Sequence, residues 1–460
     1  MTKIKIKNIC CIGAGYVGGP TMAVIADRCP DVNVTIVDIN IERIKAWNSD
    51  TLPVYEPGLA EIVFRNRGRN LHFSTEVAES ISNADCVFIS VNTPTKRSGH
   101  GAGRASDLRY LEASARQIAG SSKGHTVVVE KSTLPVKSAE TVKEVLRSLG
   151  RGRTFDVVSN PEFLAEGSAI QDLLNPDRVL IGGESKDAIA SLVEIYARWV
   201  DKERIITTNL WSSEMSKLAA NAFLAQRVSS INSLSAFCEA TGADINEVAN
   251  AIGRDSRIGS KFLNAGPGFG GSCFKKDILN LVYLCECHGL AEVAAYWSQV
   301  ISINEWQKHR ISRIIVSNLF NTVTNKRIAI LGFAFKKDTN DARETPAISI
   351  CKDLLIEGAE LSVYDPKVDE ATIKTELEIS NCLGNQKVTV SEDIMNVFTA
   401  ADAVIIMTDW AEFKDIDWNK AASLMRHPGW VFDTRGMLDP SDINSFGLNY
   451  WRVGKPKFRV

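Results

Sequence analysis

The chain has 460 residues, 45% of them hydrophobic, which is enough to bury sizeable cores in two or three domains. Lys and Arg total 53 against 55 Asp and Glu, a net charge of −2 with signs mixed along the chain; this excludes a nucleic-acid footprint and a membrane-surface patch. No apolar run approaches the ~18 residues that span a bilayer, and MTKIKIKNICCIGAGYVGG enters a strand and glycine turn without a leader pattern, so a soluble, cytoplasmic protein is expected.

Residues 7–13, KNICCIG, predict a buried strand ending in glycine, followed by a helical stretch, YVGGPTMAVIADRC, and a second strand, VNVTIVDIN. Further strands are expected at 85–91, 125–132, 155–160 and 178–183, mostly separated by helices, the pattern of a doubly wound parallel sheet. From about 210 to 320 the texture turns helical. SSEMSKLAANAFLAQRVSSINSLSAFCEATG has a serine start and a glycine stop, and AEVAAYWSQVISINEWQKHRISRIIVSNLF is a second long helix. At 326 strand texture returns in KRIAILGFAFKKDT and continues through DAVIIMTDW and GWVFDTRG. The opening plan recurs there, a strand ending in Asp38 in the first copy and in Asp365 in the second. The fold class expected is α/β: two Rossmann-like doubly wound domains, 1–209 and 323–460, joined by a long-helix connector, 210–322.

Ten cysteines are scattered without a paired framework, as in reduced cytosolic proteins. Cys285, Cys287 and His288 form one local cluster, but no second cluster supplies further ligands. They read as residues of a partly buried helix, with no metal expected.

Gly13, Gly15 and Gly18 form G-x-G-x-x-G around Tyr16 and Val17, and Asp38 follows twenty residues after Gly18. The glycines permit a tight turn, close approach of a pyrophosphate and close helix–strand packing, and the helix N-terminus favours the anion. Asp38 suits a ribose diol and repels a 2′-phosphate, which favours NAD over NADP; Arg43 lies close by.

In GPGFGGSCFKKD, Gly270 and Gly271 are expected to leave room for a ligand beside Cys273. A helix starting near Ser272, with Lys275 and Lys276 close, favours the thiolate. Asp277 is one helical turn on. A structural cysteine in a tight loop fits this segment alone equally well. Lys217 and Asn221 are four apart on one helical face with apolar flanks. Glu162 and Glu166 lie just past a strand end, where doubly wound sheets bind ligands.

Taken in order, GAGYVGGPT, SVNTPT, EKSTLPV, NPEFLAEGSA, WSSEMSKLAANAFLAQR, RIGSKFL, GFGGSCFKKD, LGFAFKKDTND and FDTRG resemble the UDP-glucose 6-dehydrogenases of the UDP-glucose/GDP-mannose dehydrogenase family, most closely the animal members. The motifs run from residue 8 to about 440. The resemblance implies two NAD-dependent oxidations of UDP-glucose to UDP-glucuronate with Cys273 as nucleophile. It assigns Lys217 and Asp277 to protons or the developing oxyanion, Thr133 and Asn221 to a water network, and Glu162 to hydrolysis. It places Gly13, Gly15, Tyr16, Val17, Gly18, Asp38, Arg43, Thr133, Glu166, Lys276 and Arg343 around NAD. Phe163, Leu164, Phe262, Asn264, Phe335, Lys336 and Arg435 then join Glu162, Lys217 and Asn221 at the sugar nucleotide, and Arg257 reaches it from a neighbouring subunit. A homo-oligomer is implied, at least a dimer and up to the hexamer of animal relatives.

The chemistry agrees with the resemblance. A first hydride transfer gives an aldehyde, a thiolate captures it, and the adduct has a hydrogen left for a second oxidation to a thioester that water cleaves. Two alternatives share many of these residues: a sugar-nucleotide 6-dehydrogenase for GDP-mannose or a UDP-N-acetylhexosamine, and a silent nucleotide-binding regulator.

Overall fold

A computed structural model describes residues 4–378 and 388–456, which fall into two compact units. The first holds residues up to Ala220 together with Leu279–Leu284; the second holds Asn221–Ile278 and the chain from Cys285 onward.

The first unit is built on eight strands: β1 (Asn8–Ile12), β2 (Asn33–Val37), β3 (Leu71–Ser74), β4 (Cys86–Ile89), β5 (His125–Glu130), β6 (Thr154–Ser159), β7 (Val179–Gly183) and β8 (Ile205–Thr208). Their order across the sheet is β3-β2-β1-β4-β5-β6-β7-β8. Side chains of β1 alternate between two cores: Ile9 and Cys11 pack on one face, Cys10 and Ile12 on the other. Both faces being covered, the strand reads as a continuous apolar run rather than an alternation. The strand order reverses between β1 and β4, so their carboxyl ends flank the crevice where such sheets take ligands. One departure from the expected parallel sheet is the antiparallel pairing of β6 with β7. The connection between them carries a single six-residue helix, Ala169–Leu174, instead of a long crossover helix.

The second unit carries an all-parallel sheet of β9 (Arg327–Leu331), β10 (Glu360–Tyr364), β11 (Val388–Val390), β12 (Ala403–Ile406), β13 (Trp430–Asp433) and β14 (Asn449–Arg452), ordered β11-β10-β9-β12-β13-β14. The repeat of the opening plan extends to its joints. Gly13 follows β1 at φ +109° and Gly332 follows β9 at φ +89°. Asp38 accepts from the Ala14 amide at 3.0 Å, and Asp365 accepts from the Phe333 and Ala334 amides at 2.6 and 2.9 Å.

The two long helices run Leu210–Thr241 and Ala291–Asn318. The first starts before the serines because Asn209 Oδ1 accepts from the Ser212 amide at 2.7 Å and caps it. It ends against Gly242 at φ +90°, the left-handed conformation that stops helices. None of the nine described cysteines forms a disulfide, and Cys285 is buried while Cys287 is exposed. Among the described residues there is no metal-binding cluster and no helix long and apolar enough to cross a membrane.

Candidate active site

The glycine turn of the first unit fits a dinucleotide. A Cβ at Gly13 would lie 2.2 Å from the Ser90 carbonyl oxygen, and one at Gly18 would lie 2.1 Å from that of Gly13, so both glycines are required by packing. A Cβ at Gly15 meets nothing within 4 Å: this glycine borders open space at the N-terminus of the helix Gly18–Arg28. That is the place for a pyrophosphate. Asp38 fastens the turn through Ala14, accepts from the Asn40 amide at 2.9 Å, and pairs with Arg43 at 3.1 Å. Trp47 Nε1 donates to the Ala14 carbonyl at 3.0 Å. Tyr16 and Val17 lie within the turn, and Val17 is the residue before the helix.

A second group in the same unit gathers beyond the carboxyl ends of β5 and β6. Glu162 follows β6 in the loop Asn160-Pro161-Glu162, and its buried carboxylate pairs with Lys217 Nζ at 3.0 Å. Its other oxygen accepts from the Leu164 amide at 2.8 Å, and Thr133 Oγ1 donates to the first at 3.4 Å. Burial pushes Glu162 up, but Lys217, the Leu164 amide and the Lys131 ammonium outweigh it and hold the carboxyl below its ordinary value. The Phe163 ring lies under two cations, with Arg178 at 3.8 Å and Lys217 at 5.5 Å from its centroid. Leu164 and Glu166 are half-buried in the same loop.

The thiol lies in the second unit. Cys273, half-buried, immediately precedes the helix Phe274–Cys287, and its carbonyl accepts the Asp277 amide at 2.9 Å, so it occupies the N-cap. The dipole of that helix favours negative charge there. By contrast, burial alone drives the Cys10 and Cys351 thiols up to about 12, which marks them as packing residues. Asp277, 3% exposed, accepts from Asn221 Nδ2 at 2.6 Å, and Lys276 Nζ is 3.8 Å from its other oxygen.

Two expectations for this segment change. The space beside Gly270 and Gly271 belongs to the protein: a Cβ at Gly270 would lie 2.6 Å from the Glu344 carbonyl oxygen, and one at Gly271, φ +82°, would lie 3.1 Å from the Phe335 ring. These glycines admit neighbouring chain rather than clearing a path for a ligand. Lys275 is also not a spare positive charge. Burial works against its ammonium, but Glu344 at 2.8 Å and Glu305 at 3.7 Å hold it above its ordinary value and neutralise it.

The long helix Leu210–Thr241 contributes Lys217 to the first unit and Asn221 to the second, four residues apart and both buried. Arg435 donates to the carbonyls of Met407 at 2.7 Å and Phe335 at 3.1 Å, which ties two of the expected substrate residues together. Lys336 is half-buried with its Nζ 5.5 Å over the Phe335 ring. Arg343 chelates Asp341 at 2.8 and 2.7 Å. Arg257, Phe262 and Asn264 are exposed; Arg257 pairs with Asp255, and Phe262 adopts φ +63°.

Three residues that sequence reasoning passed over shape the cysteine loop. Asn232 Oδ1 accepts from the Gly266 amide at 2.8 Å, Asn304 exchanges hydrogen bonds with the Phe269 backbone at 2.8 and 3.1 Å, and Gln307 donates to the Gly266 carbonyl at 2.9 Å. All three are buried, and their only signal is an amide at a core-facing helix position. Lys131 was also passed over.

Comparison with known proteins covers the chain almost end to end. Residues 7–200 match the NAD-binding domain of the UDP-glucose/GDP-mannose dehydrogenase family, 211–306 its central domain and 329–440 its UDP-binding domain. UDP-glucose 6-dehydrogenase 4 of Arabidopsis thaliana is 56% identical over 466 residues, spanning 98% of this chain and 97% of that protein. Two solved structures share the architecture. The UDP-glucose dehydrogenase of Pyrobaculum islandicum has a TM-score of 0.85 at 29% identity, covering 99% of both chains. The UDP-D-ManNAc dehydrogenase of Pyrococcus horikoshii has a TM-score of 0.81 at 26% identity, covering 97% of this chain and 99% of that one.

Proposed function

From the premise that this chain belongs to the UDP-glucose/GDP-mannose dehydrogenase family, we propose that it is an NAD-dependent UDP-glucose 6-dehydrogenase that forms UDP-glucuronate through a covalent cysteine adduct. The observation that carries the covalent route is Cys273 at a helix N-cap with buried Asp277 one turn in, held by Asn221. A simple alcohol oxidation has no use for a thiol, whereas in a four-electron oxidation a thiol retains the aldehyde as a covalent adduct.

NAD accepts the hydride in each oxidation. Gly13, Gly15, Tyr16, Val17, Gly18, Asp38 and Arg43 hold it, with Thr133, Glu166, Lys276 and Arg343 serving the same cofactor. In the first step the C6 alcohol loses a hydride from carbon and a proton from oxygen; Asp277 takes the proton, and the Lys217 ammonium steadies the developing oxyanion. The Cys273 thiolate then adds to the aldehyde carbon, and the oxyanion takes up a proton. Loss of the remaining C6 hydrogen as hydride, with the hydroxyl proton, leaves a thioester. Water, ordered by Thr133 and Asn221 and activated with Glu162, attacks the thioester, releasing the carboxylate and restoring the thiol. The balance is one alcohol, two NAD and one water to one carboxylate, two NADH and three protons.

Phe163, Leu164, Phe262, Asn264, Phe335, Lys336 and Arg435 bind the sugar nucleotide, and Arg257 serves a neighbouring copy, which makes the enzyme a homo-oligomer of two to six chains. Cofactor work belongs to 1–209, the thiol and assembly to 210–322, and the UDP group to 323–460. The reaction is cytoplasmic.

Purified protein tests the reading: two NADH per UDP-glucose are expected. No reduction with UDP-glucose, but turnover of GDP-mannose or a UDP-N-acetylhexosamine, would replace the substrate; binding of both ligands without reduction would replace the activity.

A further inference from the structure

We propose that Lys131 is a positioning residue for the Glu162–Lys217 pair: its buried ammonium supplies the second positive charge that keeps Glu162 ionised. The role assigned to Glu162 rests on the function proposed above; the electrostatic arrangement does not.

Lys131 follows β5 directly and is only 4% exposed, a rare state for a lysine without a carboxylate partner. Its Nζ donates to Asn160 Oδ1 at 3.1 Å and to the Tyr196 hydroxyl at 3.4 Å, and lies 5.8 Å from the centroid of the Tyr196 ring. The Tyr196 hydroxyl donates to the same Asn160 oxygen at 2.7 Å, and Asn160 Nδ2 donates to the Leu180 carbonyl at 2.8 Å. These direct partners are neutral. The titratable groups that face the ammonium are Glu162 on the loop after β6, Lys217 on the long helix and the Cys11 thiol on β1, with the Tyr196 phenol on the helix Lys186–Tyr196. Asn160 is the hinge of the arrangement, because it holds Lys131 and stands two residues before Glu162 in the same loop.

Burial lowers Lys131 to about 8, with Glu162 opposing that shift and Lys217 adding to it. The same coupling appears on Glu162, where Lys131 is one of the groups that hold its carboxyl down. Two cations therefore share one buried carboxylate. Lys217 makes the ion pair, and Lys131 acts on Glu162 through the low-dielectric interior without touching it.

The test compares Lys131→Gln, which removes the charge but can still donate to Asn160, with Lys131→Met and Lys131→Arg. Full-chain enzyme with NAD and UDP-glucose is assayed across about five pH units spanning neutrality. The expectation is that the acid limb of kcat moves up by about one pH unit in both neutral variants, because Glu162 protonates more easily, while Lys131→Arg keeps the wild-type limb. The acid transition in thermal stability moves in the same direction, and that readout needs no turnover. If the wild type does not oxidise UDP-glucose, the proposed substrate fails but the stability readout still tests Lys131. A wild-type acid limb and acid transition in Lys131→Gln, with only Lys131→Met impaired, would assign Lys131 to hydrogen bonding and overturn the proposal. Failure of both neutral variants to fold, with Lys131→Arg folded, would likewise assign it to stability alone.

Discussion

The side-chain amide of Asn221 donates to Asp277 Oδ2 at 2.6 Å, and both residues are buried. A buried carboxylate that loses a donor costs about 1–3 kcal/mol, so Asn221→Ala is expected to lower stability by that amount. Asn221→Asp places a second carboxylate against the first and is expected to be worse at neutral pH. Its deficit relative to Asn221→Ala should shrink as pH falls and one of the two carboxyls protonates. Thermal unfolding across the acid range measures this; an Asn221→Asp protein as stable as wild type at neutral pH would contradict it.

Cys273→Ser keeps the size of the side chain and removes the proposed nucleophile. UDP-glucuronate formation is expected to fall by at least ~10³-fold, because a serine hydroxyl at neutral pH is a far weaker nucleophile than a thiolate and no other group captures the aldehyde. Mass spectrometry of the quenched wild-type enzyme should show the sugar-nucleotide adduct on the Cys273 peptide. Near-normal glucuronate production by the variant would refute the covalent route.

The Glu162–Lys217 pair makes a stability prediction with a definite sign. Glu162 is held below its ordinary value in the folded protein, so the folded state binds its proton less readily than the unfolded state does. Its contribution is fully present above the unfolded value of about 4.3 and is lost as pH falls through the lower folded value. Glu162→Gln should remove that segment of the acid dependence. It also strands the Lys217 ammonium, at a cost of about 3–5 kcal/mol at neutral pH. Glu162→Gln combined with Lys217→Met should cost less than the two changes summed, which a double-mutant cycle in denaturant reads directly.

Asp38 joins the glycine turn to Arg43 and is the proposed partner of the NAD ribose. Asp38→Ala removes the acceptor for the Ala14 and Asn40 amides and releases Arg43. The KM for NAD is expected to rise about 10- to 100-fold through lost charge-assisted hydrogen bonds, and the preference for NAD over NADP should narrow. Initial rates with the two cofactors measure both effects; an unchanged KM for NAD would remove Asp38 from the site.

The sheets were legible in the sequence wherever both faces of a strand are covered. β1, β4 and β5 appear as runs of buried apolar residues for that reason. The strands without such a run are β3, β8, β11 and β14, whose LHFS, IITT, VTV and NYWR are short and partly exposed; all four lie at sheet edges, where little burial selects their side chains. The glycine fingerprint was legible because its spacing is set by local geometry. The pairing of Glu162 with Lys217 was not, since the residues are 55 positions apart and only the tertiary fold joins them. Lys131 was hidden for another reason: at the end of HTVVVEK it looks like a solvated cation closing a strand, and its burial comes from Asn160 and Tyr196, brought in from other elements. Gly270 and Gly271 misled because an absent side chain does not say whether a ligand or the protein's own backbone takes its place.

That backbone explains how the cysteine loop will respond to sequence drift. Residues 266–271 are held through their main-chain amides and carbonyls by Asn232, Asn304 and Gln307 on the two long helices, and a Cβ at Gly268 would lie 2.8 Å from Asn304 Oδ1. The location of the Cys273 sulfur is therefore encoded in part away from the segment that carries it. A single amide-to-hydrocarbon change on either helix should displace the thiol while leaving every residue near it intact.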